Sequence, residues 1–426
     1  MLIVGIVFII LLAVGMPVAF AIGISGVTFF LQHPELPFNM IVQLPVSQTQ
    51  SIPLMAVPLF IFAGNLLNAT GITKRLIRLS TLLTGHMRGG LAQVSVVLST
   101  LMGGVSGSAM ADSAMEARIL GPDMLKEGYS KGYTGAVIGY TSLITATIPP
   151  GIGIIIYGTV GEVSIGHLFA AGLMVGILMM IVYMITVWIT ATIRKYKPAT
   201  ERRATFKEIF LSLKETIWAL IFPFLLMVTL RFGLFTPSEV GAFACVYALF
   251  VGAVIYRELT FKKLIDCIIT SVMDVGAIMF IIAMSGIFGY GLPFDNIPQA
   301  ATSLIAGITT NRYLVLLIII LFLLIVGCLM EGSVAILLLT PILLPMAKSV
   351  GVDPVHFGLI FCTSITFGLL TPPVGINMYV VCGILNIPTG KFLKESLPFL
   401  FATVLFIVLL VFVPDVVMFL PRLFYR

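Results

Sequence analysis

The chain has 426 residues, 59% hydrophobic and only 10% charged, with a formal net charge of +6 and a mean hydropathy of +1.14. Soluble domains carry about 25% charged residues, so a water-covered globule of this size is excluded and lipid has to be part of the solvent. The basic excess points to loops on the cytoplasmic side of a bilayer and not to a nucleic-acid partner.

Taken in chain order, residues 1–32 contain no charge. The run is too long for a signal-peptide core and no basic residue precedes it, so it predicts a mature helix over 2–31. A second span is expected over 52–67. The stretch 72–88 alternates basic residues with Ile and Leu at helical spacing and predicts an amphipathic helix on the membrane surface. Residues 91–111 are again free of charge but end in a Gly-Ser-Ala cluster. Spans follow at 135–158 and 168–193. The most basic segment, RKYKPATERRATFK at 194–207, comes next. The second half offers spans at 216–230, 240–256, 268–292, 355–384 and 397–420. Its stretch 314–344 is interrupted by Glu331, Gly332 and Ser333. A spanning helix needs about 20 apolar residues, and continuous apolar runs select helices over barrel strands, which alternate. The fold class is therefore all-α and polytopic.

An internal repeat supports a division into halves. Shifting the sequence by 223 positions superposes IPPGIG at 148–153 on TPPVGI at 371–376, Pro122 on Pro345, Gly135 on Gly358, Thr141 on Ser364 and Gly104 on Gly327. The expected organisation is a first repeat over 1–193 with a hairpin at 91–123, a basic cytoplasmic linker at 194–215, and a second repeat over 216–426 with a hairpin at 313–347. Arg118, Lys126 and Lys131 follow the first polar break, whereas only Lys348 follows the second. That bias predicts inverted halves and a cytoplasmic N-terminus. Secondary transporters are commonly built this way, with the site near the bilayer midplane.

Each half carries a polar break. The first, 101–125, places Gly, Ser and Ala inside an apolar segment. Irregular backbone at membrane depth is tolerated only inside protein or beside a watery cavity, so a re-entrant hairpin with its tip at 103–108 is expected. Ser106 and Ser108 would supply hydroxyls there and Asp112 a carboxylate, which is a functional signal at such depth. The competing reading is that small residues merely let helices approach. The second break, 326–345, predicts another hairpin around Gly327, Gly332 and Ser333. Glu331 follows the uncharged stretch 313–330 and is either a buried structural carboxylate or a group at a wet tip.

A tandem proline follows each hairpin, at 149–150 and 372–373. Proline removes an amide donor and frees carbonyls of the preceding turn. The turn from Thr145 to Pro149, ahead of Gly151, would face the first tip. The turn from Leu370 to Pro372, ahead of Gly375 and Asn377, would face the second. The alternative is a plain kink. Hydroxyl, carboxylate and carbonyl oxygens suit sodium better than a transition metal. The four histidines are scattered, and the five cysteines show no paired spacing. No Walker loop, HExxH or nucleophile motif is present, so neither an enzyme nor an ATP-driven pump is expected. A channel with re-entrant hairpins remains the rival reading.

The segments AVPLFIFAGNL from Ala56, GGVSGSAMADSA from Gly103, IPPGIGIIIYG from Ile148, LLTPPVGINMYV from Leu369 and the Glu-Gly hairpin resemble, in order and spacing, the large membrane subunit of tripartite ATP-independent periplasmic (TRAP) transporters, and within it the sialic acid branch. The resemblance implies an elevator-type transporter of the ion transporter superfamily kind, driven by sodium, in a bacterial inner membrane. It implies a small four-helix membrane subunit as a separate chain, a periplasmic substrate-binding protein, and an organic acid such as sialic acid or a dicarboxylate as cargo. Carried over residue by residue, Ser106, Ser108 and Asp112 match the first sodium and substrate region, completed by the turn Thr145, Ile148 and Gly151. Gly327, Met330, Gly332 and Ser333 match the second hairpin, with Thr371, Gly375 and Asn377 opposite.

Overall fold

A computed structural model describes residues 1–372 and 374–425. The described residues form helices joined by short turns, with no strand among them. In chain order the α-helices are α1 (Leu2–Ala13), α2 (Val18–Gln32), α3 (Met40–Thr49), α4 (Ala56–Ala69), α5 (Ile72–Thr84), α6 (Gly90–Gly103), α7 (Ala109–Lys126), α8 (Lys131–Thr147), α9 (Ile152–Val160) and α10 (Ile165–Arg194). They continue with α11 (Phe206–Arg231), α12 (Pro237–Phe250), α13 (Phe261–Phe294), α14 (Ile297–Ile308), α15 (Arg312–Leu329), α16 (Gly332–Ser349), α17 (Pro354–Gly368), α18 (Ile376–Leu385), α19 (Thr389–Phe412) and α20 (Pro414–Phe424). Among the described residues, 8 helices are long and apolar enough to cross a membrane, and α8 with α9 is long and apolar enough as a pair, bent by 41° at the break between them.

Helix boundaries follow local chemistry. The basic segment stays irregular until Thr205 and Glu208 form a capping box, with the Thr205 amide donating to Glu208 Oε2 at 2.7 Å, and α11 starts there. Its first residues thus lie inside the stretch 194–215 that the charge pattern marks as linker. Thr236 and Glu239 repeat the device at the start of α12.

The same shift of 223 positions relates the helix bounds. It carries α7 onto 332–349, the bounds of α16, and places α6 on α15, α8 on α17 and α9 on α18 to within three residues at each end. The two hairpins cross-pack: α7 lies on α18 and α16 lies on α9. The polar breaks therefore sit in the interior, each against a broken helix.

Three expectations from the sequence are corrected. Residues 2–31 are not one span: Gly15, at φ +87°, and Pro17 break the run. α1 folds back along α2, so that Met1 and Phe29 both reach Gly291 of α13. Residues 397–420 also divide, because Pro414 ends α19 and opens the amphipathic α20, which packs on α10. The amphipathic helix at 72–88 exists as α5, but its apolar face (Ile72, Leu76 and Leu79) is buried against α6 and α11. Arg75 anchors it, with Nη2 2.6 Å from Glu258 Oε1 and the guanidinium over the Tyr256 ring. α14, unforeseen in the sequence, occupies the shifted position of α5. All five cysteines are buried and free.

Two glycines set the spacing of the second hairpin. A Cβ on Gly368 would stand 2.5 Å from the Gly327 backbone, and one on Gly327 would stand 2.6 Å from the Ile365 carbonyl oxygen. Backbone atoms cannot yield as a flexible side chain does. Gly368→Ala is therefore expected to cost about 1–3 kcal/mol by overpacking. It should be read as a lower unfolding temperature in detergent, beside an unchanged Gly390→Ala control, whose Cβ meets nothing.

Candidate cation and substrate site

The first tip spans the five residues between α6 and α7. Ser108 ends it as the N-cap of α7, its Oγ accepting from the Ala111 amide at 3.4 Å. Gly107 has φ +60°, and a Cβ there would lie 2.2 Å from the Pro150 carbonyl oxygen. Only glycine permits this approach. The tip is thereby docked on the Pro149–Pro150 turn between α8 and α9, with the Ile152 amide donating to the Gly107 carbonyl at 3.4 Å. Because both prolines lack an N–H, the carbonyls of Thr145 and Ala146 lose their helical partners. Ser106 is half-buried beside Gly64 of α4. Ile148 closes α8, and its side chain fills the space over Gly103 and Gly176. Gly151 is buried at the start of α9.

Asp112 lies in the first turn of α7, where the helix dipole favours an anion. It is 1% exposed. Its Oδ2 accepts from Thr145 Oγ1 at 2.6 Å, while its Oδ1 has no hydrogen-bond partner among the described residues. The same Thr145 hydroxyl also lies 2.9 Å from the Ser99 carbonyl oxygen. One hydroxyl carries one proton, so the two acceptors compete for it. A buried carboxylate in this condition is short of positive charge.

The second tip is tighter. Met330 closes α15 in extended conformation, and Glu331 is the N-cap of α16. Glu331 accepts from the Val334 amide at 3.3 Å and from Ser333 Oγ at 3.0 Å. The open question about this carboxylate is thus resolved in favour of a half-buried cap at the tip. Gly332 is buried in the first turn. Opposite, the Gly375 amide donates to the Cys328 carbonyl at 3.1 Å. Thr371 Oγ1 donates to the Gly368 carbonyl at 2.9 Å and lies 2.8 Å from Cys328 Sγ. Pro373, half of the second tandem proline, lies outside the described residues.

The structure therefore sorts the residues singled out in the sequence into two groups. Asp112, Thr145, Ser106, Ser108, Ile148 and Gly151 gather at the first tip. Gly327, Met330, Gly332, Ser333, Thr371 and Gly375 gather at the second. Asn377 sits between them, fully buried: its Oδ1 accepts from Ser113 Oγ, and its Nδ2 donates to Ser142 Oγ at 3.1 Å. The broken helix of the second repeat is so tied to the hairpin of the first.

Sequence reasoning passed over Glu116, Ser95 and Ser99. Glu116 is one turn beyond Asp112, and both its oxygens accept from serines, Ser99 Oγ at 2.7 Å and Ser95 Oγ. A signal was available. Ser95/Ser99, Asp112/Glu116 and Thr141/Thr145 are three polar pairs at i, i+4 spacing, each on one face of its helix. Among the described residues no group of three or more His, Cys, Asp or Glu side chains could hold a metal. The donors are carboxylate, hydroxyl and carbonyl oxygens, which fit a hard cation.

The profile of the family described as "Tripartite ATP-independent periplasmic transporter, DctM component" matches residues 5–416. The chain is 34% identical over 406 residues to the 2,3-diketo-L-gulonate TRAP transporter large permease protein of Escherichia coli strain K12, covering 95% of each. It is 33% identical to the sialic acid TRAP transporter large permease protein of Vibrio cholerae, covering 97% of this chain and 96% of that one. Among solved structures, the YdaH transporter of Alcanivorax borkumensis aligns over 87% of both chains with a TM-score of 0.62 at 13% identity, a likeness of fold.

Thr145→Val removes the hydroxyl that donates to Asp112 Oδ2. It is expected to lower stability by about 1–3 kcal/mol, the cost of a buried polar group left unsatisfied. Thermal unfolding in detergent should show the loss for Val and its absence for Thr145→Ser. Equal melting of all three would show that this hydroxyl does not support the carboxylate.

Proposed function

The chain belongs to the DctM family of tripartite ATP-independent periplasmic transporters, and on that premise we propose that it is the large membrane subunit of a sodium-coupled importer of a small organic acid. The observation that carries the reading is the unpartnered Oδ1 of buried Asp112, placed where the first tip meets the proline turn.

In this reading Asp112, the Thr145 hydroxyl, the tip hydroxyls of Ser106 and Ser108, and the carbonyls freed by Pro149 and Pro150 hold one sodium ion. Backbone oxygens around Gly327, Met330, Thr371 and Gly375 hold a second. Bound sodium supplies the positive charge that these oxygens otherwise lack. The chain's own part is to keep the donors dry and fixed: glycine contacts lock each tip to its turn, and helix ends present polar backbone in the interior. The N-terminus of α7, capped by the neutral Ser108, has further first-turn amides that would suit a carboxylate substrate. Sialic acid and C4-dicarboxylates fall in this class.

The hairpins and broken helices form one cross-packed body through α7–α18 and α16–α9. That body is the moving part of an elevator, and α4 and α11 to α13 belong to its frame. A small membrane subunit, as a separate chain, and a periplasmic binding protein complete the importer in the bacterial inner membrane.

Reconstituted with both partners in proteoliposomes, the protein is expected to accumulate its acid only under an inward sodium gradient. Asp112→Ala should reduce uptake to the gradient-free background while eluting as wild type in gel filtration. Equal uptake with and without the gradient would remove the coupling and leave a conduction pathway.

A further inference from the structure

Glu116 is fully buried, as are Ser95, Ser99, Thr141 and Thr145 around it. Ser95 Oγ, which donates to Glu116, also lies 3.0 Å from Thr141 Oγ1. The cluster therefore holds two carboxylates on successive turns of α7 and four hydroxyls from α6 and α8. Among the described residues neither carboxylate has an ion-pair partner. The helices packed on α7 are α6, α8 and α18. Lys131 is the one Lys, Arg or His in them, and it opens α8, exposed, well before Thr141.

Charge decides how this cluster can exist. Burying one uncompensated charge costs several kcal/mol. A single cation at the tip would neutralise Asp112 and leave Glu116, held by two serine hydroxyls, to be neutralised by a second cation or by a proton. Each hydroxyl that donates still keeps lone pairs for a further partner. Asp112 Oδ1 is free and dry within the same cluster. The donors are all oxygens, the preference of hard cations.

We propose that Glu116 and the hydroxyls of Ser95, Ser99 and Thr141, with Asp112 Oδ1 shared between this ion and the one at the tip, form an additional monovalent-cation site, one helical turn deeper in the first hairpin than the tip. This rests on the sodium-coupled reading above and deepens it. The site belongs to the first repeat alone. The shift of 223 positions puts Ala335 and Leu339 where Asp112 and Glu116 stand, and Ile318 and Phe322 where Ser95 and Ser99 stand. The extra ion is thus a product of divergence between halves that share a backbone.

The test is equilibrium binding of radioactive sodium to the purified full chain in detergent, for wild type, Glu116→Gln, Glu116→Asp and Ser99→Ala. Glu116→Gln should bind one sodium fewer than wild type, with an unfolding temperature in sodium-free buffer no lower than wild type. Glu116→Asp should retain the full count. Ser99→Ala, which keeps the carboxylates, should weaken one sodium ion by about tenfold, equivalent to about 1.4 kcal/mol, and settles the matter if Glu116→Gln does not fold. The same count and affinity in wild type, Glu116→Gln and Ser99→Ala would overturn the site. If sodium binding to wild type also released a proton that Glu116→Gln does not release, at equal sodium counts, the place would belong to a proton. Absence of any sodium binding to wild type would instead remove the coupling reading itself.

Discussion

Hydrocarbon offers no partner to a peptide N–H or C=O, and the architecture follows from that constraint. Two turns at membrane depth cannot hydrogen-bond within their own helices. Each is covered by a second broken segment. Gly107 meets the Pro150 carbonyl, and Gly327 meets Gly368, at distances that a single methyl group would forbid. The glycines make the approach possible, and the prolines leave the carbonyls that the tips then face. The polar interior of this protein is a consequence of pairing one irregular turn with another.

The pairing is duplicated, but the chemistry is not. Backbone bounds match between the halves at one constant shift, so the hairpin and broken helix are a shared structural unit. Its side chains have diverged. The first unit holds two carboxylates, Asp112 and Glu116, in a shell of hydroxyls, while the second holds Ala335 and Leu339 at the shifted positions and presents backbone oxygen, Thr371, Cys328 and one carboxylate, the Glu331 cap. Two sites of one design are thus given different net charges.

The halves are also joined. Asn377 reaches from α18 to Ser113, the neighbour of Asp112, and to Ser142 on α8. At the far end of α8, Arg194 of α10 pairs with Glu395 of α19 and lies over the Tyr133 ring. The halves are therefore held together by hydrogen bonds and an ion pair as well as by apolar contact.

The linear order of residues was enough to establish a polytopic helical protein, two polar breaks, their tandem prolines, and the repeat that relates them. Each is a local or periodic property: missing charge, a broken apolar run, a recurring spacing. Family membership was equally legible, because motif order survives without coordinates. Only the tertiary structure showed that residues 2–31 double back, that 397–420 divide, and that α5 lies on protein. Apolar length alone cannot distinguish a span from two shorter helices packed on neighbours. Likewise, only the fold brought Ser95, Ser99, Glu116, Thr141 and Thr145 into one dry cluster, and revealed Asn377 as a brace between halves. Those groups lie far apart along the chain on helices that are each unremarkable, and their chemistry arises from burial together, which no single segment encodes.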